Sequence, residues 1–272
     1  MRVAEPCLFG SPPEGASWKA SLSLAFARQG ERSVLVGRAH DGPLVVQKPL
    51  YPEGADVCHA IIVHPPGGIA GGDELALDVD CAPQSHAVLT TPGAGKWYRS
   101  SGAWARQSLD FKVAGTLEWL PRETIVFDGA IAELDTRVEL AEGARFIGWE
   151  IVCLGRRGAG ERFERGRLKV STRIDREGRP LYIDMGEIEA GGRLMSSPVG
   201  LGGRSVFGML IATADSSMRV PELAVTHLPG LVIARYLGDS SEAALQAFTA
   251  LWKALRPSVC GRDAIEPRIW ST

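Results

Sequence analysis

The chain has 272 residues, 45% of them hydrophobic and 23% charged, with a net charge of −2. That composition belongs to a globular protein able to bury a substantial core, and the near-neutral charge gives no bulk electrostatic case for binding nucleic acid or an anionic membrane. No apolar run approaches the roughly 18 residues of a membrane span.

Residues 1–16 are expected to be flexible and contain no signal-peptide core. From Trp18 onward, period-two alternation dominates. Trp18, Ala20, Leu22, Leu24 and Phe26 share one face. Leu75, Leu77, Val79 and Cys81 do the same, then Leu109, Phe111 and Val113, and later Leu168, Val170, Thr172 and Ile174. Each pattern places one face on a core and the other in water. Turn signals fall between them at Asp41-Gly42-Pro43, Glu142-Gly143, Arg156 to Gly160 and Glu177-Gly178. Phe146 to Leu154 is almost continuously apolar and reads as a strand buried on both faces.

The pattern predicts a mainly β fold of long, stacked or curved sheets in a single domain. One helix is expected, at about 241–255. Ser240 or Ser241 caps it, Glu242 complements its dipole, Leu245, Phe248, Trp252 and Leu255 form its apolar side, and Pro257 closes it.

Two loops stand out. His64-Pro65-Pro66-Gly67-Gly68-Ile69-Ala70-Gly71-Gly72-Asp73 combines stiff and permissive backbone in a way that implies a shape of consequence. Thr90-Thr91-Pro92-Gly93-Ala94-Gly95-Lys96-Trp97-Tyr98-Arg99-Ser100 follows closely. Its Gly95-Lys96 pair lacks the upstream glycine and the following Ser or Thr of a phosphate loop.

His40, His59, His64 and His86 fall in one stretch with Cys58 and Cys81, but their spacing matches no metal-binding motif, which favours hydrogen-bonded structural histidines. The five cysteines (Cys7, Cys58, Cys81, Cys153, Cys260) form no CxxC, as expected of reduced thiols in a cytoplasmic protein. Carboxylates recur in awkward places: Glu150 inside the apolar strand, Asp73 at the end of the glycine bend, and Glu123 and Asp128 around Thr124–Phe127. An ionised group in such a strand needs a partner, water or a metal. Two readings stay open for Glu150, a structural ion pair with an arginine or a polar passage lined by carboxylates.

Read together, several segments resemble the UreD (UreH) family of urease accessory proteins. They are Gln47 to Gly54, His64 to Asp73, Leu89 to Ser100, Trp119 to Gly129, Gly148 to Arg156, Ala234 to Asp239, Leu255-Arg256-Pro257 and Pro267 to Trp270. The resemblance implies a non-enzymatic maturation factor acting with UreF and the GTPase UreG on apo-urease. It would hold no tightly bound cofactor and would pass nickel(II) in transit. On that reading His64, Asp73, Glu123, Asp128 and Glu150 are expected near the nickel path, and Leu245, Phe248 and Trp252 are expected to meet UreF if the sheet does not cover them. Two alternatives remain: an all-β metal-dependent hydrolase and a stand-alone nickel store.

Overall fold

The computed structural model describes residues 17–215, 218 and 220–271, so the N-terminal segment expected to be flexible lies outside the described residues. The first strands are β1 (Lys19–Gln29), β2 (Arg32–Asp41), β3 (Val45–Val46) and β4 (Cys58–Val63). Then come β5 (Glu74–Cys81), β6 (His86–Thr90), β7 (Gly95–Trp97), β8 (Ala105–Val113), β9 (Thr116–Leu120) and β10 (Thr124–Val126). The second half contains β11 (Ile131–Leu140), β12 (Arg145–Leu154), β13 (Arg167–Arg176), β14 (Arg179–Glu189), α1 (Arg193–Ser196), β15 (Val206–Ala212), β16 (Ala224–Leu228), β17 (Leu231–Gly238) and α2 (Ser241–Cys260).

These strands build two sheets. One has seven strands in the order β14-β13-β11-β8-β5-β1-β2; the other has ten and follows the path β16-β17-β15-β12-β9-β6-β4-β3. The chain winds between them: β5, β8, β11 and β13 stack in parallel in the first, while β4, β6, β9 and β12 stack in parallel in the second. Parallel neighbours require a crossover, and here the crossover is a strand of the opposite sheet, as in a two-sided solenoid. Antiparallel strands finish the stack, including β14, which follows β13 through Glu177 and Gly178, both at positive φ.

The alternation read from the sequence sorts buried side chains into two core layers. Leu22, Leu24, Leu77, Val79, Phe111 and Ile174 from the seven-stranded sheet meet Leu89, Trp119, Phe146 and Val152 from the ten-stranded sheet. The opposite face of the ten-stranded sheet, with Ile147, Trp149, Ile151 and Leu210, is covered by Phe248, Leu251, Trp252 and Leu255 of α2. Trp18 departs from its expected face: it precedes β1, is 51% exposed and gives its backbone N–H to Asp73.

Helix α2 starts where expected, with the Ser240 hydroxyl accepting the Ala243 N–H at 3.1 Å. It ends later than expected, running through Pro257 to Cys260, with Gly261 in the left-handed conformation. Pro257 lies in the last turn, where it forfeits one backbone hydrogen bond, and burial of Val259 beyond it holds the turn. No helix among the described residues is long and apolar enough to cross a membrane.

Candidate functional site

Strand β12 divides its side chains between the two core layers. Ile147, Trp149, Ile151 and Cys153 face α2, while Phe146, Val152 and Leu154 point between the sheets. By the same period Glu150 points between the sheets. No hydrogen bond or ion pair engages its carboxylate among the described residues, so the structural ion pair considered for it is not made. Burial without a compensating charge raises its pKa to about 7.

Glu150 borders open space on more than one side. A cavity of about 320 Å³ is lined by Glu150 together with His64, Lys96, Gln107, Trp119 and Arg122. A second, of about 730 Å³, is lined by Glu150 with Thr172, Asp184, Met209, Glu222 and Arg235 among many apolar groups. A hydrated ion fits such volumes, since a water occupies about 30 Å³. The carboxylate therefore stands where two inter-sheet cavities adjoin.

The two unusual loops form one wall of the smaller cavity. Ile69 donates its N–H to the Lys96 carbonyl at 2.8 Å, and Tyr98 returns one to Ile69, also at 2.8 Å. A Cβ on Gly68 would fall 1.9 Å from the Tyr98 ring, and one on Gly71 would fall 2.1 Å from the Ser100 hydroxyl. Those glycines exist because the second loop packs directly on the first. His64 opens the bend, and its Nε2 is buried with no hydrogen-bond partner. Burial lowers its pKa against the opposing pull of Asp73, so the imidazole keeps a free lone pair near neutral pH.

Of the five residues expected near a nickel path, His64 and Glu150 come together on one cavity. Asp73 does not join them: its Oδ1 accepts the Trp18 N–H at 2.8 Å and its Oδ2 the Ala70 N–H at 2.7 Å, which closes the glycine bend. Asp128 is likewise engaged, accepting the backbone N–H groups of Glu164 and Arg165 at 2.9 and 2.8 Å. Burial works to raise its pKa, but Arg165 and those amides hold it below the usual carboxylate range. Glu123 sits 3.8 Å from the Arg122 guanidinium, which itself lines the smaller cavity.

The expectation for α2 is corrected. Phe248 and Trp252 expose no surface and pack on Trp149, with ring centroids 6.3 and 6.5 Å away, so no area remains for a partner. Leu245 is only partly buried, against the same cluster.

One constellation escaped the sequence reading. Glu53, His59, His86, Glu118 and Arg256 form a buried network between α2 and the ten-stranded sheet. His86 Nε2 lies 2.6 Å from Glu118 Oε1, His59 Nε2 lies 2.6 Å from Glu53 Oε1, and Arg256 bridges both carboxylates. Trp252 donates its indole N–H to Glu118 at 2.5 Å. His86, Glu118 and Cys260 bring three metal-type donor atoms within 4.8 Å of one another. The Arg256 cation already occupies the Glu118 oxygens, so the set closes as structure. Burial alone would raise the Glu118 pKa, yet His86 and Arg256 hold it down at about 2. The available signal was a lone Glu in the apolar strand TLEWL, the same kind of signal that marked Glu150.

Comparison with known proteins supplies the rest. The family model described as UreD urease accessory protein matches residues 19–271. A urease accessory protein UreD from Dechloromonas aromatica is 51% identical over 96% of this chain and 97% of its own length. One from Azoarcus sp. is 51% identical over 94% of both chains, and one from Pseudomonas aeruginosa is 46% identical over the full length of both.

Proposed function

This chain belongs to the UreD urease accessory protein family, and on that premise we propose that it serves urease maturation as a non-catalytic subunit, working with UreF and UreG to bring nickel(II) to apo-urease. The observation that carries the proposal is Glu150, an unpartnered carboxylate where two cavities adjoin between the sheets. A transit route must hold a divalent ion well enough to accept it and weakly enough to release it. Imidazole and carboxylate suit nickel(II), and a few oxygen and nitrogen donors release an ion that a closed thiolate site would trap. His64, which lines the smaller cavity and whose buried Nε2 has no hydrogen-bond partner, is the second donor on this route.

The test is Glu150→Gln, which keeps shape and removes the charge. Co-expressed with UreF, UreG and apo-urease, the variant should fold normally, by circular dichroism, and yield urease with little nickel and little activity. Full activation by a folded Glu150→Gln protein would reject this route.

A further inference from the structure

Strand register sets two rows of side chains against each other across the larger cavity. On the ten-stranded sheet Glu150 pairs with Met209, and Met209 with Arg235. On the seven-stranded sheet Thr136 pairs with Thr172, and Thr172 with Asp184. Cross-strand partners share a face, and all of these but Thr136 line the cavity. At the inner end a void of about 30 Å³ touches Glu150, Thr136, Thr172 and Met209, room for about one water. The outer end is half in solvent, with the Asp184 and Arg235 side chains 48% and 44% exposed.

At that outer end Arg235 lies across both rows. Its Nη2 donates to the Tyr182 hydroxyl at 2.6 Å and reaches Asp184 Oδ2 at 3.4 Å. The Tyr182 hydroxyl donates to the same Oδ2 at 2.7 Å and lies 3.2 Å from Met209 Sδ. Burial, reinforced by the Asp184 charge, raises the Tyr182 pKa and keeps this phenol a neutral donor. A guanidinium does not lose its proton, so in this position Arg235 neutralises Asp184 and repels any second cation. An ion pair so exposed adds little to stability, and the long arginine side chain has solvent to swing into. Its departure leaves a carboxylate and a thioether side by side. The rest of the ionised lining is acidic, with Glu150 and Glu222 facing the same space.

We propose that Asp184, with Met209 beside it, is a second holding point for the divalent ion at the outer end of the larger cavity, and that Arg235 is its resident counter-ion, displaced when the ion arrives. The inference rests on the transit reading above and adds to it a carboxylate distinct from Glu150. Exchanging one cation for another means that Asp184 is never left as an unpaired charge on the cavity wall. It also keeps the holding point weak, because the returning guanidinium competes with the ion for the same oxygen.

The experiment uses the full-length protein in complex with UreF, with nickel(II) sulfate as the probe in equilibrium dialysis. Arg235→Gln removes the counter-ion and should tighten nickel(II) binding about three- to tenfold, a modest gain because the site is half in water. Arg235→Lys, which keeps the charge, should bind as wild type. Asp184→Asn added to Arg235→Gln should cancel the gain, whereas Glu150→Gln added to Arg235→Gln should leave it in place. Wild-type affinity in an Arg235→Gln protein folded by circular dichroism, or a gain that survives Asp184→Asn, overturns the proposal. Glu150→Gln alone separates the two ideas: full urease activation by that variant would reject the transit route, while the dialysis result on Asp184 and Arg235 would stand by itself.

Discussion

The Glu118 carboxylate receives the Arg256 Nε–H on both oxygens, at 3.1 and 3.0 Å, at a depth where neither residue exposes any surface. This contact fixes α2 to strand β9 across 138 positions of sequence. Removing one member of such a pair leaves the other charge buried and uncompensated, at roughly 3–5 kcal/mol. Glu118→Gln should therefore lower stability by about that amount in urea unfolding. The sign with pH follows from its depressed pKa, about 2 against 4.5. The stabilisation is complete above about pH 4.5 and is lost as the pH falls toward 2, so the gap between wild type and variant should close over that window. A constant gap would show that the carboxylate's charge is not what matters.

Glu150 behaves in the opposite sense. Its pKa is raised from 4.5 to about 7, so the folded protein holds a proton that the unfolded chain has released. Wild type should lose about 3 kcal/mol between pH 4.5 and 8, relative to a variant without the ionisable group. In metal-free buffer, Glu150→Gln should match wild type at pH 4 and exceed it in melting temperature at pH 8. Equal melting temperatures at both pH values would mean that Glu150 has a compensating partner in solution.

Much of this architecture was legible before any coordinates, because burial writes a period of two into a strand. Leu75 to Cys81 shows its core face by alternation, while Phe146 to Leu154 shows burial on both faces by a nearly unbroken apolar run, with Glu150 as the polar exception. The winding between two sheets was not legible. Strands at Glu74, Ala105, Ile131 and Arg167 stack in one sheet, yet their unequal spacing leaves no repeat to detect. Asp73 accepts two backbone amides and lines neither cavity, and in one dimension such a capping carboxylate looks the same as a ligand. The Arg256 network was missed since its members lie on four elements and in one loop, and only pairing brings them together.

Contact between the two glycine-rich loops makes a sharper claim about Gly68. An added methyl group would meet the Tyr98 ring at 1.9 Å, so the ring must swing away. Tyr98 is 40% exposed and can do so, which limits the cost of Gly68→Ala to roughly 1–3 kcal/mol. In a Tyr98→Ala background the same substitution should cost much less. A double-mutant cycle without coupling would show that the loops do not touch as described.

The C-terminal turn should matter more than its position suggests. Trp270 lies 5.9 Å from Trp149 and 6.1 Å from Trp252, ring to ring, and so covers the cluster that α2 leaves open at one side. Its indole N–H donates to Thr90 Oγ1 at 2.9 Å, while that hydroxyl donates to the Leu120 carbonyl at 2.6 Å. Thr90→Val keeps the shape and strands both partners, a loss of about 1–3 kcal/mol. Trp270→Ala removes the aromatic contacts as well and should cost about 2–4 kcal/mol, less than a fully buried tryptophan because the ring is only partly enclosed. Tryptophan fluorescence should shift to the red in Trp270→Ala as Trp149 and Trp252 meet water, and stay near wild type in Thr90→Val. An unshifted spectrum in Trp270→Ala would place the C-terminal turn elsewhere in solution.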